Sequence, residues 1–428
     1  MRAVTVLPFW LDDVCGWMAI AAKSGMLIRR QFPLSWTSKE IIVSITPIRL
    51  IYFATIVTIC SLYAAQPIQP VFQREFQLSS LQAILFTTLM MAPLGFAPLF
   101  YGYLLESFSA KVLVRLALAL LGVLEFFFAL ANDYMTLLLL RAVQGLIIPA
   151  ILTSLMSYIS YSTEREDVQH AIARYIGATI IGGFLGRFLS GLSTELFGWR
   201  VFFFVLGLAL IGASWLLSCL QRDVKMTYAR PRLADITDLL RSGRFLWLYL
   251  AIFCLFFVFS ALMNILPFEL RKVGTVLGQA GVGLLYFGYS MGIFVSFNSR
   301  RIIRYFGSEI KAISAGIVIF FIGTLIFMVE NYAVMFVAMF VFCTGLFLAH
   351  SLLSGFVNKL ARDNKAIANG VYISFYYTGG TMGSFLPGFF FERYGWQEFL
   401  ASLLCMLVVA MLLVLRLKKA VAAESAMT

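Results

Sequence analysis

Charge is scarce in this sequence. Only 13% of its 428 residues are Asp, Glu, Lys or Arg and 61% are hydrophobic, whereas soluble globular chains carry about 25% charged and about 45–50% apolar residues. A soluble fold of that composition would expose apolar surface on every side, so lipid is the expected solvent for most side chains. Histidine is scarcer still, with His170 and His350 far apart in sequence. There is no H-E-x-x-H run and no pair of central acids, which argues against a membrane-embedded enzyme and gives no catalytic residue and no metal site. The six cysteines (Cys15, Cys60, Cys219, Cys254, Cys343 and Cys405) are scattered without C-x-x-C spacing, so they read as small core residues rather than disulfides or metal ligands. No G-x-x-x-x-G-K-[ST] loop occurs and no polar break is long enough for a nucleotide-binding domain, which excludes an ATP-driven pump. No small-residue cleavage pattern follows the short apolar stretch Val14–Ile28, so that stretch reads as an interfacial helix or a poorly ordered extension rather than a signal peptide.

What the chain has instead is long apolar runs. A membrane-spanning helix needs about 20 mostly apolar residues, and twelve such segments follow one another. They are expected over 49–71, 79–103, 111–131, 134–160, 170–194 and 200–220, then 244–268, 278–298, 309–329, 332–358, 366–390 and 397–416. The formal net charge of +12 is explained by where the basic residues sit. Arg74, Arg200, Arg271, Lys272 and Arg393 fall in the odd-numbered breaks and Arg141 and Arg187 within spans, while the N-terminal segment, the even-numbered breaks and the tail hold the rest. Basic residues gather in cytoplasmic loops, so both termini are expected in the cytoplasm and no nucleic-acid partner is implied. The longest internal break, about 221–243, reads as a charged linker between two six-span halves.

The halves match each other. Ala173–Phe202 (ARYIGATIIGGFLGRFLSGLSTELFGWRVF) lies on Gly370–Phe399 (GVYISFYYTGGTMGSFLPGFFFERYGWQEF) without a gap. Tyr175, Gly182, Gly183, Gly186, Gly191, Glu195, Gly198 and Trp199 fall on Tyr372, Gly379, Gly380, Gly383, Gly388, Glu392, Gly395 and Trp396. The same offset carries Ile68 and Pro70 onto Ile265 and Pro267. An ungapped offset shared by distant stretches marks a parallel repeat, the build of one large class of transporters.

Several motifs resemble those of the major facilitator superfamily over roughly residues 49–416. GYLLESFSAKVLVR between spans two and three is similar to the loop motif G-x-L-a-D-r-x-G-r-k at Gly102, Leu104 and Lys111, with Glu106 standing as the acid. RAVQGLIIPA in span four resembles R-x-x-q-G at Arg141, Gln144 and Gly145. The glycine run of span five resembles the antiporter motif g-x-x-x-G-P-x-x-G-G with Gly183 in the proline slot, and FGWRVFF and YAAQPIQPVFQREF look like the bacterial drug-exporter and sugar-exporter branch. The resemblance implies that Gly182 and Gly186 of span five meet Gly288 and Gly292 of span eight in a sliding contact between the halves. It also implies that Glu106 lies near the N-terminus of span eleven, where a carboxylate is favoured and would stabilise the outward-open state. Exporters of this family often carry an acid in span one; this chain has none between Ile51 and Pro70.

The charges within the spans are the remaining candidates. Glu125 and Arg141 are equally far from the turn at Asp133, which at 1.5 Å per residue puts both about 12 Å inside and level with each other. Arg187 falls at a similar depth. Intramembrane charges face a cavity or pair with each other. Arg141, Gln144 and Arg187 are thus candidates to line a central cavity, and the alternative is that Glu125 merely neutralises Arg141. Glu125 and His350 are the candidates for proton coupling, His350 because an ordinary imidazole titrates near neutral pH. Tyr63, Gln66, Asn264, Tyr376 and Tyr377, on spans one, seven and eleven, could supply hydrogen bonds to a substrate.

The expectation is therefore an all-α integral membrane protein of twelve transmembrane helices in two six-helix pseudo-repeats. Its parts are a cytoplasmic extension (1–48), a bundle (49–220), a linker (221–243), a second bundle (244–416) and a tail (417–428). The expected activity is secondary transport by alternating access, as proton-linked export of a small organic solute, with a facilitator or importer of a small anionic or sugar-like solute as the alternative. The expected setting is the bacterial cytoplasmic membrane, as a monomer, with a small-molecule substrate, protons as candidate co-substrate, the lipid bilayer as partner and no cofactor.

Overall fold

The computed structural model describes residues 47–107, 109–163, 168–220, 233–273, 278–361 and 365–425. The chain divides into two units, Met1–Pro47 and Ile48–Thr428. The expected N-terminal extension, with Val14–Ile28, lies outside the described residues. The description that follows is of the second unit.

Twelve helical spans cross it, and no strand occurs among the described residues. Span one is Pro47–Tyr63, which passes a 3-10 turn at Gln66–Ile68 and continues as Gln69–Glu75. Pro67 and Pro70 supply no backbone N–H, which breaks the regular ladder there. Spans two to six are Ser80–Ser107, Ala110–Leu130, Tyr134–Ser162, Val168–Leu196 and Trp199–Leu216. Span seven is Gly243–Val273, and span eight is Gln279–Leu285 joined by a 3-10 turn at Tyr286–Tyr289 to Ser290–Phe306. Spans nine to twelve are Glu309–Ile326, Tyr332–Leu360, Lys365–Tyr394 and Trp396–Ser425. Among the described residues, ten helices are long and apolar enough on their own to cross a membrane. Spans eight and eleven complete the set; the first is interrupted by its 3-10 turn and carries Asn298, Arg301 and Arg304, and the second is diluted by glycine, serine and threonine.

Two elements differ from expectation. Leu233–Arg241 is a short helix inside the break read as a linker, of which 221–232 lies outside the described residues. Span twelve runs through Ser425, so most of the segment read as a tail is a continuation of that helix.

Polar caps start several spans. Asp133 accepts a hydrogen bond from the Thr136 N–H (2.8 Å) and Asn331 from the Ala333 N–H (3.0 Å), opening spans four and ten. Each satisfies a backbone donor that the helix itself leaves unpaired. Hydrogen bonds from the Thr136 hydroxyl and the Thr136 backbone N–H hold the exposed Asp133 carboxyl below its usual range. Burial sorts the spans into centre and rim. Span seven buries 78% and span one 72% of its apolar window, whereas span twelve buries 33% and faces outward over most of its length.

The repeat is visible bond by bond. In the first half the Tyr52 hydroxyl donates to the Ala171 carbonyl (3.3 Å), and in the second Tyr249 donates to Ala368 (3.1 Å). Gly182 and Gly186 lie on the backbone of Ile56 and Cys60, as Gly379 and Gly383 lie on Phe253 and Phe257. Span five therefore packs on span one as span eleven packs on span seven. Gly198 and Gly395 both take a positive φ, 89° and 96°, before Trp199 and Trp396; a side chain would strain either turn.

Hydrogen bonds also gather the odd-numbered connections on one face, called here the odd-loop face. Arg200 donates to Glu75 (2.6 Å) and to Asn132 (3.0 Å), and Gln397 donates to Glu330 (2.9 Å). On the opposite face, Lys111 donates to the Leu220 carbonyl at the end of span six, and Lys359 pairs with Glu309 (2.9 Å).

Candidate functional site

The equal depths expected for Glu125 and Arg141 bring them together. The Arg141 guanidinium lies 3.8 Å from the Glu125 carboxylate, and neither side chain is exposed. Arg141 Nη1 also donates to Gln144 Oε1 (3.0 Å) and to the Ser61 carbonyl (3.4 Å), and touches Met90 Sδ (3.1 Å). The guanidinium lies against the rings of Phe128 (4.0 Å) and Phe203 (4.7 Å), which also meet each other edge to face. Glu125 accepts from the Ser61 hydroxyl. Every one of these partners belongs to the first half, on spans one, two, three, four and six. The set is not fully satisfied: Arg141 Nε and Nη2, Gln144 Nε2 and Glu125 Oε2 are buried without a protein partner.

Arg187 is held differently. Nε donates to Gln66 Oε1 (2.7 Å), Nη1 to the Gly183 carbonyl (2.6 Å) and Nη2 to the Tyr289 hydroxyl (3.2 Å). Three rings surround the cation, Tyr63 at 4.1 Å, Tyr289 at 4.6 Å and Tyr286 at 5.2 Å. Cation–π contacts are each worth roughly 0.5–2 kcal/mol, more when desolvated, and here they stand in for a counter-ion. Among the described residues no carboxylate forms an ion pair with Arg187, which is 1% exposed. Tyr286 and Tyr289 come from span eight, in the other half.

From Arg187 a polar chain runs across the interface. Gln66 donates to Asn264 Oδ1 (3.3 Å), Gln69 donates to the same oxygen (2.9 Å) and to Thr87 Oγ1 (3.0 Å), and Asn264 donates back to the Ser260 carbonyl (2.8 Å). Further bonds between the halves are Thr88 with Ser384 (2.7 Å) and Arg271 with the Pro70 carbonyl (3.1 Å). At the odd-loop face two glutamates complete the closure. Glu195 accepts from the Ala280 N–H at the start of span eight (2.9 Å), and Glu392 accepts from the Leu81 N–H at the start of span two (3.0 Å). The repeat places these two acids on each other, so they form one latch built twice.

The remaining candidates are spread out. His350 Nδ1 lies 2.8 Å from the Tyr372 hydroxyl, which donates to the His350 carbonyl at 3.1 Å. A hydroxyl with its one proton on that carbonyl leaves Nδ1 as the donor, which fixes the tautomer. Tyr376 stacks on Phe256 (3.6 Å) and lies 4.7 Å from His350, while Tyr377 meets Phe256 edge-on at 6.0 Å. The Glu106 side chain and the surroundings of Gly102 lie outside the described residues.

The sliding contact expected of Gly182, Gly186, Gly288 and Gly292 is corrected. Gly182 and Gly186 face span one, and Gly288 and Gly292 face Met339 and Phe347 of span ten, so all four pack inside their own half. The contact between spans five and eight runs through Gly191, on the Gln279 backbone, and Gly283, on Arg187 and Phe188. A small-residue stripe marks a face of close approach but not the helix that approaches it.

Residues 51–364 match the sequence profile of the Major Facilitator Superfamily. The chain belongs to that family. An "Uncharacterized transporter" of Buchnera aphidicola subsp. Baizongia pistaciae is 29% identical over 375 residues, covering 86% of this chain and 92% of its own. The "Inner membrane transport protein YnfM" of Escherichia coli is 28% identical over 375 residues, covering 86% and 89%. Among solved structures, the nucleoside transporter NupG, in a mutant form, superposes with a TM-score of 0.73 at 13% identity, over 87% of this chain and all of that one; this likeness concerns the fold. The protein is thus a multi-pass membrane transporter of the major facilitator superfamily.

For a facilitator, bonds between halves are the ones that must break and re-form. Sequence reasoning found Arg187, Gln66 and Asn264 by their polarity inside apolar runs, but missed Tyr286, Tyr289, Gln69 and Ser61. Gln69 carried a signal, as a second amide in QPIQP; the tyrosines are hidden in a chain that is 16% aromatic. The paired latch gives a testable expectation. Because both acids are exposed, Glu195→Gln and Glu392→Gln should each raise access from the odd-loop face roughly two- to fivefold. The double variant should multiply the two effects. Thiol labelling of a cysteine introduced at Ser193 measures this, and a large effect of one variant with none of the other would contradict the paired design.

Proposed function

We propose that the protein is a proton-linked exporter of a small organic solute, working by alternating access in the bacterial cytoplasmic membrane as a monomer. The observation that carries this reading is the gathering of the inter-half bonds on the odd-loop side, with each half bonded internally. Such a molecule rocks about its middle by exchanging one set of interface contacts for another. The crowding of basic residues on the even-numbered loops and near both ends supports a cytoplasmic position for that face and both termini. The latched odd-loop face is then the outer one, and the closed outer gate leaves the solute path to be entered from the cytoplasm.

Glu125 is the proton-carrying group in this reading. Its carboxylate touches span one through Ser61 and span four through Arg141, so a proton arriving there removes the charge that compensates Arg141 and loosens the contact between those spans. His350, tied to Tyr372 within the second half, serves to position that tyrosine. The motif resemblance in span five and at FGWRVFF supports export over import.

The test is a solute panel in inside-out vesicles with an imposed pH gradient. Solute-dependent proton movement in the wild type, lost in Glu125→Gln, is the expected result. Transport that ignores the gradient would replace the exporter by a facilitator.

A further inference from the structure

We infer that Arg187 is the anchor for the negative group of the transported solute, so that the substrate class is a small organic anion. This deepens, and rests on, the alternating-access reading above, in which Arg187 is covered while the odd-loop face is closed and is uncovered when that face opens to let a solute leave. Arg141 and Arg187 are both buried arginines, and the structure separates their roles. Arg141 has a carboxylate, and all its partners lie in its own half. Arg187 has none among the described residues, and it lies where the halves meet.

The partners of Arg187 divide by half. Gln66, the Gly183 carbonyl and the Tyr63 ring come from the first half and travel with it. The Tyr289 hydroxyl and the rings of Tyr286 and Tyr289 come from span eight. When the halves part on this side, Nε and Nη1 keep their acceptors, while Nη2 loses its own and the cation loses two of its three rings. A guanidinium exposed in that way, held still by two remaining bonds, presents a charged donor in a low-dielectric cleft, the condition in which charge-assisted hydrogen bonds are strongest. An anion takes the place of the Tyr289 hydroxyl. A neutral solute replaces the hydrogen bond but leaves the charge uncompensated, and a cationic solute is repelled.

The surrounding wall suits a planar body. Phe259 lies 5.6 Å and Phe347 5.4 Å from Tyr289, ring centre to ring centre. Tyr289, Phe259 and Phe347 all belong to the second half and withdraw together, so a flat anion bound at Nη2 has Tyr63 on one side and this aromatic group across the cleft on the other, a geometry that favours offset stacking. Gln66 ties the site to the gate: the same side chain that accepts from Arg187 donates to Asn264 of span seven. Occupation of Arg187 is thereby felt by a bond that must break for the halves to separate.

The probes are benzoate and salicylate, with benzamide and benzyltrimethylammonium as the neutral and cationic counterparts. Each is added at millimolar concentration to the purified full-length wild type, Arg187→Lys and Arg187→Gln. Thermal unfolding is followed, and uptake is measured in vesicles holding the same variants. The expected result is stabilisation of the wild type by the anions only, weakened roughly tenfold or more in Arg187→Gln and less in Arg187→Lys. Arg187→Gln folding as the wild type does, with anion binding unchanged, overturns the inference. So does the failure of every anion to stabilise the wild type, or equal stabilisation by the amide or the cation. Anion binding without transport would sink the exporter reading and leave the anion site standing. Transport of a neutral or cationic solute by Arg187→Gln at the wild-type rate would do the reverse.

Discussion

Arg141→Ala is expected to destabilise the folded protein by about 3–5 kcal/mol, the cost of leaving one member of a buried ion pair alone. Glu125 is unexposed and would keep only the Ser61 hydroxyl. The space against Phe128 and Phe203, now filled by the guanidinium, would be emptied at the same time. A carboxylate in that position costs several kcal/mol unless it takes up a proton. The double variant Glu125→Met with Arg141→Leu removes both charges and refills the space, so it should recover most of the loss or exceed the wild type. Thermal unfolding of the purified protein, with the yield of monodisperse material as a second reading, compares them. A single variant as stable as the wild type would show that the pair is not what holds spans three and four together. Arg187→Ala leaves no buried opposite charge behind, so its loss should be felt in transport before stability.

The contrast between the two arginines shows how far the sequence could be read. Helical rise is constant, so counting residues from Asp133 was enough to put Glu125 and Arg141 at one depth, and they are in fact an ion pair. Depth does not give the angle around the helix axis. Whether Arg141 looks at the other half or at Phe128 depended on the rotation of span four against four neighbours. The repeat was legible because identical packing needs identical small residues: Gly182 and Gly186 reappear as Gly379 and Gly383, on the same two positions of spans one and seven. The partner of a glycine stripe was not legible, because glycine records close approach and nothing about what approaches. The helix Leu233–Arg241 was hidden by its charges; Leu233, Ile236, Leu239 and Leu240 recur at helical spacing, which short polar segments share with many loops. Lys418 and Lys419 ended the apolar run, and the helix simply outlasts it to Ser425.

Gly191→Leu and Gly186→Leu should fail in opposite ways. A β-carbon on Gly191 would stand 2.5 Å from the Gln279 carbonyl oxygen, across the boundary between the halves, whereas one on Gly186 would stand 2.6 Å from the Cys60 backbone within the first half. Either contact is too close to hold, and overpacking of this kind costs typically about 1–3 kcal/mol. For Gly186 the cost falls on the fold of the first half in every state of the cycle, since spans one and five move together. Folded yield and stability should drop, and transport per folded molecule should change little. For Gly191 the cost falls only on the state in which the odd-loop face is closed. The same energy then becomes a shift of roughly five- to 150-fold in the population of that state, with the yield close to wild type and transport reduced by about tenfold or more. Access from the odd-loop face, read by labelling a cysteine at Ser193, should rise in Gly191→Leu and stay unchanged in Gly186→Leu. Gly283→Leu, which meets the Arg187 and Phe188 backbone from the other side, should behave like Gly191→Leu. Equal losses of yield and transport in all three would mean that the five–eight contact is fixed packing and that the halves do not part there.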